Sequence, residues 1–466
     1  MSSTLLVFNL VISIAIILIG IVLLKANPAL SMVLASLYMG VSSGFTWAES
    51  AGIISTGFGN MMTDIGLPIG LGVILGQLLS DTGAAQVIAE SIVSKFKKEI
   101  AIYAVGVAGF VLSIPVFFDV TFIILIPIGI AIAKELNKPI PFITGALSAG
   151  AAIAHSLVPP TPTPLAAGDI FGFSTGTMLI VGLIVGAIAV TATVFIYSKI
   201  LTKTKYWNPE KDINHSSPVT EKLASLATEE IAASDENRIR TSSDKPGFLF
   251  SMCPIVIPVL CILSGTIGVA IYGENLPQFI EFMSNKLIAI LLGTIVAYLI
   301  GYKYLGKKGV DECANEGLKT AGIVLLVTGA GGSFGAIIKA TDIGNHLISA
   351  LGIDTNNVVM VLLFAYFIGF IFRVAQGSGT VAGLTSMAIL APIAVAVPVH
   401  PVYIAIACLA GGNSIGHVND SGFWVATNLS GLSVTGGLKT YTTAIGISTI
   451  IEMICVITAA LLFPMA

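Results

Sequence analysis

Charge is what this sequence has least of. Only 10% of its 466 residues are Asp, Glu, Lys or Arg, against about 25% in an ordinary soluble protein. Arginine is rarer still, with Arg238, Arg240 and Arg373 as the whole complement. Cysteine is thin and scattered. Cys253, Cys261, Cys313, Cys408 and Cys455 stand singly, with no CxxC and no clustered ligand partners, which points away from both a disulfide framework and a metal site. No basic stripe offers a footprint for nucleic acid. The net charge of −3 carries little information, because charge nearly vanishes outside the loops.

Apolar side chains fill the space instead: they make up 55% of the chain, and the mean hydropathy is +0.96. The windows 4–24, 174–198 and 248–273 hold no charge at all. Each is long enough to cross about 30 Å of hydrocarbon as a helix. The chain therefore reads as a multi-pass α-helical membrane protein with the lipid bilayer as its first partner. The opening window has no basic residues ahead of it and runs straight into Lys25-Ala26-Asn27-Pro28, so residues 1–27 are expected as a helix preceding the first repeat rather than as a signal peptide.

One stretch looks soluble. Residues 201–247 contain seven Lys/Arg and eight Asp/Glu with few large apolar side chains, and a short helix is possible over 219–233. This polar linker separates a membrane half at 1–200 from another at 248–466. The halves show a weak internal repeat: GQLLSDTGAAQVIAES (76–91) resembles GAIIKATDIGNHLISA (335–350), and 48–62 loosely parallels 311–326. Lysines near the short loops mark the cytoplasmic side, and they place the linker inside, with repeat-equivalent segments running in opposite directions. Inverted repeats of this kind belong to secondary transporters. The expected fold is an all-α polytopic membrane protein of two inverted-topology repeats, with re-entrant hairpins, broken helices and about 12–14 membrane segments.

Four interruptions, two per half, break the apolar runs: SIPVFFDVT (113–121), AHSLVPPTPTP (154–164), RVAQGSGT (373–380) and GGNSIGHVNDSGFW (411–424). Non-helical backbone at membrane depth survives only where protein or a water-filled cavity satisfies it, and paired interruptions point to a midplane substrate site. Free N–H groups at the broken ends attract a carboxylate. Ser378, Thr380 and Thr161 offer hydroxyls, and Gln376, Asn413 and Asn419 offer amides suited to a polyhydroxylated chain. Two readings stand open for Arg373: a fixed cation forking onto a substrate carboxylate, or a helix end reaching for the inner interface.

Asp119, between VFF and VTFIILIP, is the candidate for loading and unloading a proton. Asp420, His417 and His155 are candidate helpers, and each is equally read as part of a local hydrogen-bond network. GYKYLGKK (301–308) approaches a phosphate-binding loop, but Lys308 replaces the required hydroxyl and the run follows a membrane helix. With no nucleotide site and no cofactor implied, pumping must draw on an ion gradient. The remote alternatives are a passive channel and an intramembrane serine protease pairing Ser378 with His417.

RVAQGSGTVAG, GGNSIGHVNDSGFW, IPVFFDVTFIILIP and HSLVPPTPTPLAAGDI together resemble the gluconate permease family of bacterial proton-coupled symporters, and the likeness runs through almost all of the chain outside the linker. The resemblance implies uptake of gluconate or a related small hydroxylated carboxylate across the bacterial cytoplasmic (inner) membrane, by a homodimer of the ion-transporter type. D-serine or another small carboxylate, with sodium in place of the proton, is the alternative it leaves open. This chain departs from the family's PPHPGP-like run: Thr161 stands where a histidine is usual and Thr163 where a glycine is usual. A milder departure puts Gly379 in place of alanine.

Overall fold

The computed structural model describes residues 3–24, 26–97, 100–215, 245–341, 354–418 and 420–465. The short helix expected over 219–233, and most of the repeat segment 335–350, lie outside these residues. Among the described residues, helices form the architecture, and one bridge, Ile213 to Leu432, is the only β pairing. Among the described residues, six helices are long and apolar enough to cross a membrane: Trp47–Asp81, Pro141–Phe171, Thr175–Lys203, Phe248–Val269, Lys286–Ala340 and Val434–Leu462. The 55-residue helix Lys286–Ala340 turns a corner at Gly306 (φ 69°, ψ 175°), and the exposed Lys303, Lys307 and Lys308 lie at that corner. GYKYLGKK is thus a basic corner between two spans.

The order of elements recurs. In the first half a hairpin of Ala101–Leu112 and Phe118–Glu135 is followed by a broken helix, Pro141–Leu157 with Pro162–Phe171, and then by Thr175–Lys203. In the second half a hairpin of Val358–Gln376 and Gly379–Ala394 is followed by Pro401–Gly412 with Ser421–Leu429, and then by the closing helix Val434–Leu462. Each hairpin packs its first arm on the first arm of its own broken helix. The second arms cross over. Phe118–Glu135 lies against Ser421–Leu429 from the other half, and Gly379–Ala394 against Pro162–Phe171. This exchange brings all four interruptions to the middle of the molecule. The two long helices that precede the hairpins, Trp47–Asp81 and Lys286–Ala340, pack on each other alongside.

Side-chain size explains how the arms approach so closely. A Cβ on Gly150 would strike the carbonyl of Gly106, and one on Gly411 would strike the carbonyl of Tyr366. A Cβ on Gly369 would come within 2.6 Å of the Cys408 carbonyl. Small residues let membrane helices touch backbone to backbone, where dispersion replaces the missing hydrophobic drive. Gly150→Val or Gly411→Val is therefore expected to remove most folded protein, since overpacking against backbone costs about 1–3 kcal/mol or more. Gly70→Ala, with nothing within 4 Å of the new methyl, is expected to behave as wild type. Monodispersity on size exclusion in detergent checks all three. Of the small-residue spacings in the sequence, Gly182–Gly186 and Gly76 are close-packed, against Leu157, Phe110 and Pro115, and Gly70 is not.

The polar stretch divides at its start. Thr175–Lys203 stays helical into the expected linker, and residues 208–214 then strap onto the second half. Asp212 is fully buried and takes an ion pair from Lys439 at 2.8 Å, while Ser433 Oγ donates to the Lys211 carbonyl at 2.8 Å. Asn214 N donates to the Gly431 carbonyl at 3.0 Å.

Candidate substrate cavity

A cavity of about 370 Å³ lies where the interruptions meet. Phe117, Phe118 and Asp119 line it from the first hairpin, and Ala152, His155, Ser156 and Thr163 from the first broken helix. The second hairpin contributes Arg373 and Gly377 through Thr380, and the second broken helix contributes Leu409, Asn413 and Asp420 through Gly422. Tyr441 of the closing helix completes the wall. Each of the four second arms begins at this cavity, so four helix N-termini face one space. Their first N–H groups have no intrahelical acceptor and carry the positive end of the helix dipole, but Pro162 and Pro164 leave the Pro162–Phe171 terminus only the Thr163 N–H in its first three positions.

Arg373 sits in the last turn of Val358–Gln376, only 3% exposed. Gly377 follows at φ 79°, a left-handed conformation that a side chain would strain, and it ends the helix by donating its N–H to the Arg373 carbonyl at 2.9 Å. The turn folds the guanidinium back on its own break. Nη1 donates to the Gly377 carbonyl, and Nη2 donates to Asp420 Oδ2. Tyr441 also donates to that carboxylate oxygen, and Asp420 Oδ1 caps the next helix by accepting from Gly422 N at 3.0 Å. Arg373 Nε has no partner among the described residues. The guanidinium is buried inside the protein at the cavity wall, with its fork on Gly377 and Asp420.

Gly416 makes room for this cluster. A Cβ there would collide with Arg373 Nη2, Asp420 Oδ2 and the Tyr441 ring. Gly416→Ala is expected to push the ion pair apart and to cut uptake by about tenfold or more while protein still inserts, the loss of roughly 1.4 kcal/mol at the site. Uptake per mole of membrane-inserted protein checks it.

The other expected residues divide. Ser378 accepts from Val381 N at 3.4 Å as an N-cap, and with Thr380 it faces the cavity. Asn413 Nδ2 donates to Ser156 Oγ at 3.3 Å and so ties the two broken helices together at the wall. Asp119 opens onto the cavity and forms no ion pair among the described residues. His155 lines the same cavity with its ring 5.4 Å from that of Phe117, and its Nδ1 is buried with no partner among the described residues. Thr161 is turned away: its Oγ donates to the Val158 carbonyl at 2.7 Å, and it lines a separate small void against Ile69 and Val73. His417 is outside the cavity wall, with Nε2 3.2 Å from the Val374 carbonyl. No bond joins Ser378 to His417, so the pairing required by a serine protease is not formed among the described residues. Asn419 and the Gln376 side chain lie outside the described residues.

Sequence reasoning missed Tyr441 and Ser156. Both carried a faint signal. Tyr441 falls in Thr440-Tyr441-Thr442-Thr443, a polar run near the start of an apolar helix, and Ser156 follows His155 directly.

Comparison with known proteins agrees with this architecture. A family profile described as GntP family permease matches residues 5–462. The inner membrane permease YgbN of Escherichia coli is 31% identical over 427 residues, spanning 90% of both chains. A gluconate permease of Bacillus subtilis is 30% identical over 429 residues, covering 90% of this chain and 91% of that one. Among solved structures, Neisseria gonorrhoeae MtrF, described with a class of antimetabolite efflux pumps, superposes with a TM-score of 0.60 over 88% of this chain and 84% of its own. At 14% identity it speaks for the fold alone.

Proposed function

We propose a cargo and a driving ion for a chain that belongs to the GntP permease family and crosses the inner membrane many times: it is a symporter that brings gluconate, or a related small hydroxylated carboxylate, into the cell together with a proton. The observation that carries the reading is the meeting of four helix N-termini on one cavity that polar side chains help to line. Its volume of about 370 Å³ falls within the range of about 300–1,000 Å³ usual for small-molecule sites. The N-terminus of Gly379–Ala394, with Ser378 and Thr380, would receive the carboxylate. Ser156, Thr163, Asn413 and Ser421 would bond the hydroxyls.

The charges supply a reason for the proton. Arg373 is matched by Asp420, so the pair adds little net charge to the cavity. Asp119 is left facing the same space without a cation. An incoming carboxylate and an ionised Asp119 repel, and a proton on Asp119 removes that repulsion. Substrate and proton would then bind as a pair. Movement of the hairpins and broken helices against Trp47–Asp81 and Lys286–Ala340, in two repeats of inverted topology, would expose the cavity alternately. The family resemblance also carries over a homodimer, which crosslinking in native membranes tests.

The deciding experiment measures uptake of labelled gluconate, other sugar acids and D-serine by cells or proteoliposomes, with and without sodium and with and without a protonophore. The expected result is saturable gluconate uptake that a protonophore collapses and sodium leaves unchanged. Preference for D-serine, or a requirement for sodium, would replace the cargo or the ion. Uptake that never saturates would favour a channel. Tyr441→Phe removes one donor to Asp420 and is expected to slow uptake by about tenfold, the usual loss for a hydrogen bond to a charged group. Initial rates at saturating gluconate check this.

A further inference from the structure

We propose that Glu452 is a second proton-binding site, placed beyond the substrate cavity on the proton's route, so that the coupled proton passes through it as well as through the cavity. The proposal rests on the proton-symport reading above. Glu452 lies in the closing helix Val434–Leu462, is fully buried, and neither carboxyl oxygen has a hydrogen-bond partner among the described residues. An ionised carboxylate buried in that position with no partner among the described residues would cost several kcal/mol or more. A neutral carboxylic acid fits there. Acids inside membranes almost always pair with a partner; this one has no bond among the described residues.

Its surroundings connect it to the cavity. The closing helix carries Tyr441, Thr449 and Glu452 at helical spacing along its contact with Val358–Gln376. Tyr441 meets Arg373 at 3.5 Å, and Thr449 meets the Tyr366 hydroxyl at 3.1 Å. Glu452 lies 11 positions beyond Tyr441, about 16 Å farther along the axis, towards the membrane face opposite the Asp212–Lys439 strap. Hydroxyls at Tyr441, Tyr366 and Thr449 are therefore spaced between the ion pair and an orphaned carboxyl, with a gap between the first and the other two.

The ionisable groups on the elements packed around it do not compensate it. Val358–Gln376 brings Tyr366 and Arg373, Pro401–Gly412 brings Tyr403 and Cys408, and Pro141–Leu157 brings His155. Thr175–Lys203 brings Tyr197, Lys199 and Lys203, and the closing helix itself has Lys439, Tyr441 and Cys455. Tyr366 and Cys455 are within electrostatic reach of Glu452. None of these groups forms an ion pair or hydrogen bond with it among the described residues.

The test uses purified full-length protein in liposomes and two readouts. An infrared pH-difference titration reads the C=O stretch of a buried carboxylic acid, and one such band is expected to vanish in Glu452→Gln and to persist in Asp119→Asn. Labelled gluconate then separates coupling from translocation. For one proton, a one-unit pH gradient supports about tenfold accumulation. Glu452→Gln is expected to bring this to no accumulation while gluconate–gluconate exchange, in which the proton need not leave, continues and reports a folded protein. Glu452→Asp, with the carboxyl one methylene back, is expected to restore part of the accumulation. The inference is overturned if no acid band is lost in Glu452→Gln, or if that variant accumulates gluconate as wild type does. Wild-type uptake indifferent to a protonophore would overturn the symport reading first and this inference with it.

Discussion

Arg373→Ala abolishes uptake and lowers the yield of folded protein, and adding Asp420→Ala restores the yield but not the uptake: this is the expected pattern. The guanidinium and the Asp420 carboxylate are 4% and 8% exposed, so neither can be solvated alone. Removing one member of a buried pair leaves the other uncompensated and costs about 3–5 kcal/mol, whereas removing both leaves no stranded charge. In a protein stable by about 5–15 kcal/mol, the single change alone is enough to deplete the folded state. Arg373→Lys keeps the charge but loses the fork that spans Gly377 and Asp420 together. It is expected to fold better than Arg373→Ala and to transport poorly. Size exclusion in detergent gives the yield, and labelled-gluconate uptake per folded protein gives the function. A double variant that transports like wild type would make the pair a structural clasp with no part in handling the substrate.

The sequence revealed Arg373 and Asp420 but neither their pairing nor Tyr441 beside them. Arg373 was conspicuous because a cation at the end of sixteen uncharged residues demands a reason. That its reason is Asp420, 47 positions away, depends on which helix crosses which, and composition holds no record of that. The crossing is set by close glycine contacts such as Gly150 on Gly106 and Gly411 on Tyr366, which look like every other glycine in a chain with 49. Breaks were legible because proline and glycine stop helices wherever they cluster. Side-chain direction within a break was not. Thr161 and Thr163 are two residues apart, yet the first bonds the Val158 carbonyl and the second faces the cavity. Glu452 was overlooked because a single acid in an apolar helix has no local pattern, and only its lack of partners makes it notable.

Asp119→Asn is expected to sever substrate movement from the proton gradient while leaving the protein folded. The change is isosteric, and Asp119 has no ion-pair partner among the described residues to strand. Two like charges about 6 Å apart at an effective dielectric of about 20 repel by about 3 kcal/mol, about a hundredfold in affinity. If the substrate carboxylate binds well only when Asp119 is protonated, wild-type affinity is highest at low pH and falls as pH rises through the titration of Asp119. The asparagine is permanently neutral, so its affinity should stay at the low-pH level across that range. Accumulation against a gradient should disappear, because the neutral side chain has no proton to release on the far side. Gluconate binding to purified protein at a series of pH values gives the first result, and steady-state accumulation under an imposed pH gradient gives the second. A wild-type affinity that does not change with pH would remove the repulsion argument. An asparagine variant that still concentrates gluconate would move the coupling away from Asp119, to a carboxyl outside the cavity such as Glu452.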